Sequence, residues 1–163
     1  MSKLAAQRAL EIINNLGGAA EEFRGKWLTV QAFASEFERD NQRHSLVESV
    51  NSALSNDQAE DILNHLDAEI SYLRSNPVGN LRLAPGNPRF YQNAKRDIAH
   101  VLNENHETSM RLGYLICVVY QVRCNTEHGK KELGSKRSQK LFSVCNNILG
   151  MVIPELVHIA DAA

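Results

Sequence analysis

The chain is short of the features that would assign it to a class at once. Its three cysteines, Cys117, Cys124 and Cys145, make an odd number without the spacing of a disulfide framework. A stapled secreted scaffold is therefore excluded, and a reducing cytoplasm fits better. No long hydrophobic run is present. The longest, Tyr114 to Tyr120, falls far short of the roughly 20 residues that span a bilayer. The opening Met-Ser-Lys-Leu-Ala-Ala-Gln-Arg has no apolar stretch of the signal-peptide kind, so no secretory leader is expected. There are no repeats, no low-complexity tract, no P-loop, no dinucleotide fingerprint and no Ser/His/Asp triad. The formal net charge is −1, which by itself points to neither nucleic acid nor membrane. The expectation is a soluble, cytoplasmic protein without a membrane segment.

What is there suits one globular domain over 1–163. A chain of 163 residues buries roughly 70% of its unfolded surface, and 43% hydrophobic with 23% charged content is ordinary for such a fold. Leu4, Leu10, Ile13 and Leu16 stand at helical spacing over 3–16, with Gly17-Gly18 as a stop. Phe33 and Phe37 lie one turn apart and predict a helix over 30–39, with Trp27 packed beneath that region. Asp40-Asn41-Gln42 interrupts it, and Leu46, Val47, Val50 and Leu54 stripe a helix over 44–54. Asp57 and Glu60 form a capping-box pattern that opens a helix over 58–74. Its acidic residues Glu60, Asp61, Asp67 and Glu69 read as a solvated face, since no second acidic helix completes a magnesium site.

Pro77, Gly79, Pro85 and Gly86 make 75–87 a loop, and Asn87-Pro88 restarts a helix as N-cap and N1, running to about residue 103. From His106 to about Arg123 the chain is apolar almost all round. It contains no breaker apart from Gly113, which predicts a central helix buried on several sides. Leu141, Val144, Cys145, Ile148, Val152, Leu156 and Ile159 keep helical register over 136–160, where Pro154 should kink or split the helix. No segment reads as a convincing strand. The fold class is all-α, a helical bundle.

Chemistry gathers in one stretch, 118–131, where the apolar run ends at Val122 and Arg123, Asn125, His128, Gly129, Lys130 and Lys131 follow. Arg123 and His128 are five residues apart, about 500° on an unbroken helix, which leaves them about 140° from one another. They converge only where the helix ends or distorts, and Asn125 and Gly129 are residues that permit a turn there. Taken alone, Arg123 also suits a helix C-terminus through the dipole, and His128 suits an ordinary loop. Between Tyr120 and Lys140 six cationic residues face two acidic ones, a local balance of +4. Such an island attracts phosphate backbones and makes binding salt-dependent. Tyr120 could stack on a base but reads more simply as a core or interface residue.

Cys124 and His128 lie one turn apart with Cys117 upstream, yet a structural zinc wants four ligands, and Cys145 and His158 show no pairing spacing. No metal and no cofactor are expected. Cys117 and Cys145 read as small core hydrophobes, and His100, His106 and His158 as surface or capping residues.

An Arg, four residues and a His, with Asn close behind the Arg, an apolar helix before and Gly-Lys and an amphipathic helix after, resembles the HEPN superfamily. Its R-x4–6-H signature appears as Arg123-Cys-Asn-Thr-Glu-His128, and the wording Tyr120 to Lys130 is similar to HEPN proteins of bacterial toxin and phage-defence loci. The match is closest over 110–150. It implies a HEPN-like four-helix core over about 57–160, with 1–55 as an N-terminal helical extension that caps the bundle, builds a dimer contact or binds a partner. It further implies a metal-independent endoribonuclease. In that family two protomers usually pair so that both Arg/His sets line one cleft, and the products carry 2′,3′-cyclic phosphate and 5′-hydroxyl ends. On that resemblance His128 transfers protons, Arg123 stabilises the phosphate and Asn125 orients the phosphate or the histidine. Lys130, Lys131, Lys136 and Arg137 then bind RNA, and an antitoxin or defence-system protein is an expected partner. Two departures stand out. Cys124 occupies the position after the Arg where many family nucleases place Asn, Asp or His. Lys130 replaces the Tyr that a nucleotidyltransferase modifies in one subgroup. The alternative implied by the same likeness is a catalytically silent module that binds RNA, a nucleotide or a protein, and a third class is a helical structural subunit.

Overall fold

The computed structural model describes residues 18–34, 42–127 and 135–162, which hold seven α-helices and no strand. In chain order these are α1 (Gly18–Ala34), α2 (Gln42–Ala53), α3 (Asn56–His65), α4 (Asp67–Ser75), α5 (Gln92–Leu102), α6 (Thr108–Glu127) and α7 (Lys136–Ala162). The all-α expectation holds. The helix expected over 3–16 and the residue Phe37 lie outside the described residues.

Helix α6 is the axis of the fold because its apolar residues recur on every side. Leu112, Leu115, Ile116, Val119 and Val122 are fully buried, each worth about 1.5–3 kcal/mol in removed apolar surface. Such a helix must be wrapped, and α2, α3 and α5 pack around it. Helix α7 is the second axis, carrying α1 and α4. Its stripe Leu141, Val144, Cys145, Ile148, Val152 and Leu156 is buried as the spacing requires. Phe142, outside that stripe, is buried as well and meets Phe23 of α1 at 5.5 Å between ring centroids.

Gly113 shows how closely the first axis is wrapped. A Cβ there would lie 2.9 Å from Val47 Cα and 3.1 Å from its carbonyl oxygen, so the missing side chain lets the backbones of α2 and α6 approach.

Several expected boundaries move, each for a local reason. Helix α1 includes Gly18 as its first described residue and takes in 30–34 of the helix expected over 30–39, whose remainder lies outside the described residues. Trp27 is buried, but as a residue of α1 itself rather than as a side chain packed under a separate helix. The capping box is Ser55/Gln58, not Asp57/Glu60. The Ser55 hydroxyl accepts from the Gln58 amide at 3.2 Å, and the Gln58 side chain accepts from the Ser55 amide at 3.0 Å. Two overlapping sequences fit the same pattern, and the earlier one caps.

The single helix expected over 58–74 is two, divided at Leu66, whose φ of −99° and ψ of 16° leave the helical region. That bend lets α3 pack on α6 while α4 packs on α7. The acidic residues Glu60, Asp61 and Asp67 are exposed, consistent with a solvated face, and Glu69 accepts from the Asn147 side chain at 3.1 Å.

Helix α5 begins at Gln92, not at Asn87-Pro88. Asn87 instead closes a turn, its carbonyl accepting from the Phe90 amide at 3.0 Å and its side chain from the Arg89 amide at 2.9 Å. Helix α7 is continuous through Pro154, so the proline does not split off a final piece.

Candidate functional site at the end of the central helix

The motif stretch occupies the last turns of α6. Arg123 does not end the helix, which continues through Asn125 to Glu127. Asn125 is thus a helical residue, and the turn expected at it is absent. His128, Gly129, Lys130 and Lys131 lie outside the described residues. Arg123 is half-buried on a helix whose neighbours Val119 and Val122 are fully covered.

The two described members of the expected catalytic set face different ways. Residues two apart on a helix are about 200° apart. On the side of Arg123 lies Tyr120, whose ring packs against Trp27 of α1 at 5.8 Å. Burial pushes the Tyr120 phenol above its ordinary range. A hydrogen bond with Cys124 adds to that, and the positive charges of Arg123 and Arg43 oppose it.

On the other side, Asn125 is buried and both the nitrogen and the oxygen of its amide are hydrogen-bonded. Its Nδ2 donates to the Gly79 carbonyl at 2.7 Å, and its Oδ1 accepts from the Leu81 amide at 3.1 Å and from the Gln121 side chain at 3.2 Å. Asn125 is therefore the clamp that fastens the 76–91 loop to α6.

The loop is built to be clamped. The Asn80 amide donates to the Phe90 carbonyl at 2.8 Å, closing its two ends together. A Cβ on Gly79 would overlap the Phe90 ring, so only glycine lets the chain pass there. The asparagines at 80 and 87 each accept from the backbone two residues on, which satisfies amides that no helix serves.

Between this loop, the end of α6 and the start of α7 lies an open cleft of about 350 Å³. Asn76, Tyr91, Asn125 and Arg137 supply its polar groups, and Val78, Phe90 and Leu141 its apolar ones. Arg123 is not part of its wall.

Helix α7 starts beside it with Ser135 as its cap, the hydroxyl accepting from the Ser138 amide at 3.1 Å. Lys136 and Arg137 are exposed in that first turn, and Lys140 one turn later sits 5.6 Å from the centre of the Tyr72 ring. Cations at a helix N-terminus oppose the dipole, so Lys136 and Arg137 gain no stability from it.

No group of three or more His, Cys, Asp or Glu residues that could hold a metal ion occurs among the described residues. No described helix is long and apolar enough to cross a membrane.

Sequence reasoning missed a second polar cluster, where α2, α5 and α6 meet. Asp97 is buried and forms an ion pair with Arg43. Nearby, His100 and His106 are hydrogen-bonded through Nδ1 and Nε2 at 2.9 Å, and the His100 ring stacks on Tyr114 at 4.2 Å. The two histidines are thus partnered and half-buried rather than plain surface residues. One signal was readable: Asp97 falls on the stripe Ala94, Ile98, Val101, where a solvated carboxylate has no place.

Compared with the profiles of known families, with characterised proteins and with solved structures, the chain matches none.

Proposed function

We propose that the protein is a metal-independent endoribonuclease of the HEPN kind, acting as a homodimer in a toxin or phage-defence role. The observation that carries this reading is the placement of Arg123. It is a half-buried cation on the last turns of the most deeply wrapped helix, five residues before His128 in the sequence.

The chemistry follows from the substrate. RNA brings its own nucleophile, so the protein has only to move protons and stabilise charge. His128 takes the proton of the 2′-hydroxyl, whose oxygen attacks the adjacent phosphorus. The bond from phosphorus to the 5′-oxygen breaks, and that oxygen takes a proton from the imidazolium to leave as a 5′-hydroxyl, which returns the histidine to its starting state. The other product retains a 2′,3′-cyclic phosphate. Arg123 stays charged throughout and offers its donors to the phosphoryl oxygens as negative charge builds. Lys130, Lys131, Lys136 and Arg137 hold the flanking backbone in this scheme, with salt-dependent affinity. Asn125 contributes by fixing the loop beside the cleft, and no direct role in catalysis is assigned to it.

The test is cleavage of total RNA in excess EDTA by the wild type, His128→Ala and Arg123→Ala. Cleavage by the wild type alone is expected, together with a species of about 36 kDa by light scattering, twice the 18.2 kDa chain. A clean monomer at micromolar concentration, or cleavage that survives both substitutions, contradicts the proposal.

One observation favours a second reading. The Asn125 side chain serves the clamp, bonded to Gly79, Leu81 and Gln121, which suits a silent HEPN-like module that binds RNA, a nucleotide or a protein. RNA binding without cleavage identifies that case.

A further inference from the structure

We propose that the cleft between the 76–91 loop, the end of α6 and the start of α7 binds a nucleobase, carried by a free nucleotide or by single-stranded RNA. Its volume of about 350 Å³ lies at the small end of the roughly 300–1,000 Å³ of ligand sites. That is room for one planar ring system with its attached sugar at the mouth, and too little for a helix of a partner protein.

The wall combines flat apolar faces with unspent hydrogen-bonding groups. Tyr72, Phe90 and Tyr91 line it together with Val78 and Leu141. Tyr91 is 37% exposed, one of three large hydrophobic side chains left so open among the described residues. Asn76 is half-buried and donates one Nδ2 hydrogen to the Tyr72 carbonyl at 3.0 Å. Among the described residues no further hydrogen bond takes up its second Nδ2 hydrogen or its Oδ1, and none takes up the phenols of Tyr72 and Tyr91. Asn125, in the same wall, is by contrast tied to Gly79, Leu81 and Gln121.

This pairing of groups selects the ligand. An apolar molecule would strip water from the Asn76 amide and return nothing, and a bare ion would make no use of the aromatic faces. A base meets both demands. Its ring stacks on an aromatic side chain, and its edge sets a donor beside an acceptor, the pattern that an asparagine amide pairs with through Oδ1 and Nδ2. Arg137, exposed in the wall, offers its donors to the ribose or the phosphate.

The loop is held ready for this. A connection as long as 76–91 without a helix or strand is uncommon and is usually functional. Asn125 fixes it at Gly79 and Leu81, and the bond from the Asn80 amide to the Phe90 carbonyl closes it. A wall fixed before the ligand arrives adds little ordering cost to binding. Arg123 is no part of this wall, so the proposal stands whether or not the protein cuts RNA.

The experiment is calorimetric titration of the full chain, in EDTA, with the four nucleoside 5′-monophosphates, ribose 5-phosphate and short 2′-O-methyl oligoribonucleotides, which lack the attacking hydroxyl. Tyr91→Ala and Asn76→Ala are the variants and Arg123→Ala the control, with circular dichroism to check that each folds. Tyr91 is exposed, so its substitution leaves the core intact.

Saturable binding of at least one nucleotide is expected, weakened about tenfold or more in Tyr91→Ala and in Asn76→Ala, with ribose 5-phosphate weaker by a similar factor. Arg123→Ala should bind as the wild type does. Equal or tighter binding of the mononucleotide identifies a free nucleotide as the source of the base, and tighter binding of the oligomer identifies RNA. Absence of saturable binding up to about 10 mM overturns the proposal. So does ribose 5-phosphate binding as tightly as the nucleotides, binding that either folded variant leaves unchanged, or binding lost in Arg123→Ala.

Discussion

Replacing Asn125 by alanine separates a structural from a catalytic role for a buried residue of the motif. The substitution removes three hydrogen bonds at once, to the Gly79 carbonyl, the Leu81 amide and the Gln121 side chain. A neutral hydrogen bond contributes about 0.5–1.5 kcal/mol net, and a buried partner left unsatisfied costs about 1–3 kcal/mol. Gly79 and Leu81 are only half-buried, so water reaches part of what is released, and Gln121 can reorient toward Asn93, 3.5 Å away. The loss should therefore lie near the low end of the sum, about 2–4 kcal/mol. For a chain of this size that lowers the melting temperature by about 4–16 °C. Asn125→Asp should cost at least as much, because an acceptor replaces the donor that sits 2.7 Å from the Gly79 carbonyl. Thermal and urea denaturation measure the total, and amide hydrogen exchange at Leu81 locates it, since that amide should lose protection first. A melting temperature unchanged by Asn125→Ala, with Leu81 still protected, would refute the clamp.

Other expectations are as direct. Gly113→Ala puts a methyl group 2.9 Å from Val47 Cα. Overpacking of about 1–3 kcal/mol should exceed the gain of about 1 kcal/mol in helix propensity, so urea denaturation should show a net loss, and a gain would mean that α2 moves aside freely. In the native protein a thiol reagent should modify Cys124 quickly and Cys117 and Cys145 only after unfolding, because Cys124 is half-exposed and the other two are buried, with the Cys117 thiol raised to about 11. More than one fast thiol, or a fast phase that survives Cys124→Ser, contradicts that assignment.

Burial, then His106 and Arg96, hold His100 below the ordinary histidine value. A group depressed on folding adds stability above its unfolded value of about 6.5 that is lost as pH falls through it. Stability should therefore decline on the acid side, and His100→Gln should flatten the decline. An identical pH profile in that variant removes His100 as its source.

Much of the fold was legible because it rests on helical periodicity. The stripes of α2 and α7 are regular, the apolar run of α6 is too long for anything but a helix, and burial follows these positions among the described residues. What the sequence hid was decided by contacts distant in the chain. The break at Leu66 exists because the two halves of one periodic stretch pack on different axes, which no local pattern states. Asn87 looked like a helix cap and is a turn, since the chain has to close at Asn80 and Phe90 before α5 begins.

The same limit applies to the site. The local sequence suggests a turn at Asn125, and the resemblance a role in orienting the phosphate or the histidine, while its partners at Gly79 and Leu81 are more than forty positions away. Asp97 and Arg43 likewise meet only through the packing of α2 and α5 on α6. Arg123, expected to end the central helix, lies one turn inside it, because the helix runs on to Glu127.

The nuclease reading is tested most directly by the ends it leaves on a short defined RNA, incubated with the protein in EDTA and analysed by mass spectrometry. Fragments carrying 2′,3′-cyclic phosphate and 5′-hydroxyl ends are predicted for the wild type, with none from Arg123→Ala, from His128→Ala or from a substrate whose cleaved position is 2′-deoxy. Intact RNA with the wild type, 3′-hydroxyl ends, or the same fragments from either variant would contradict it.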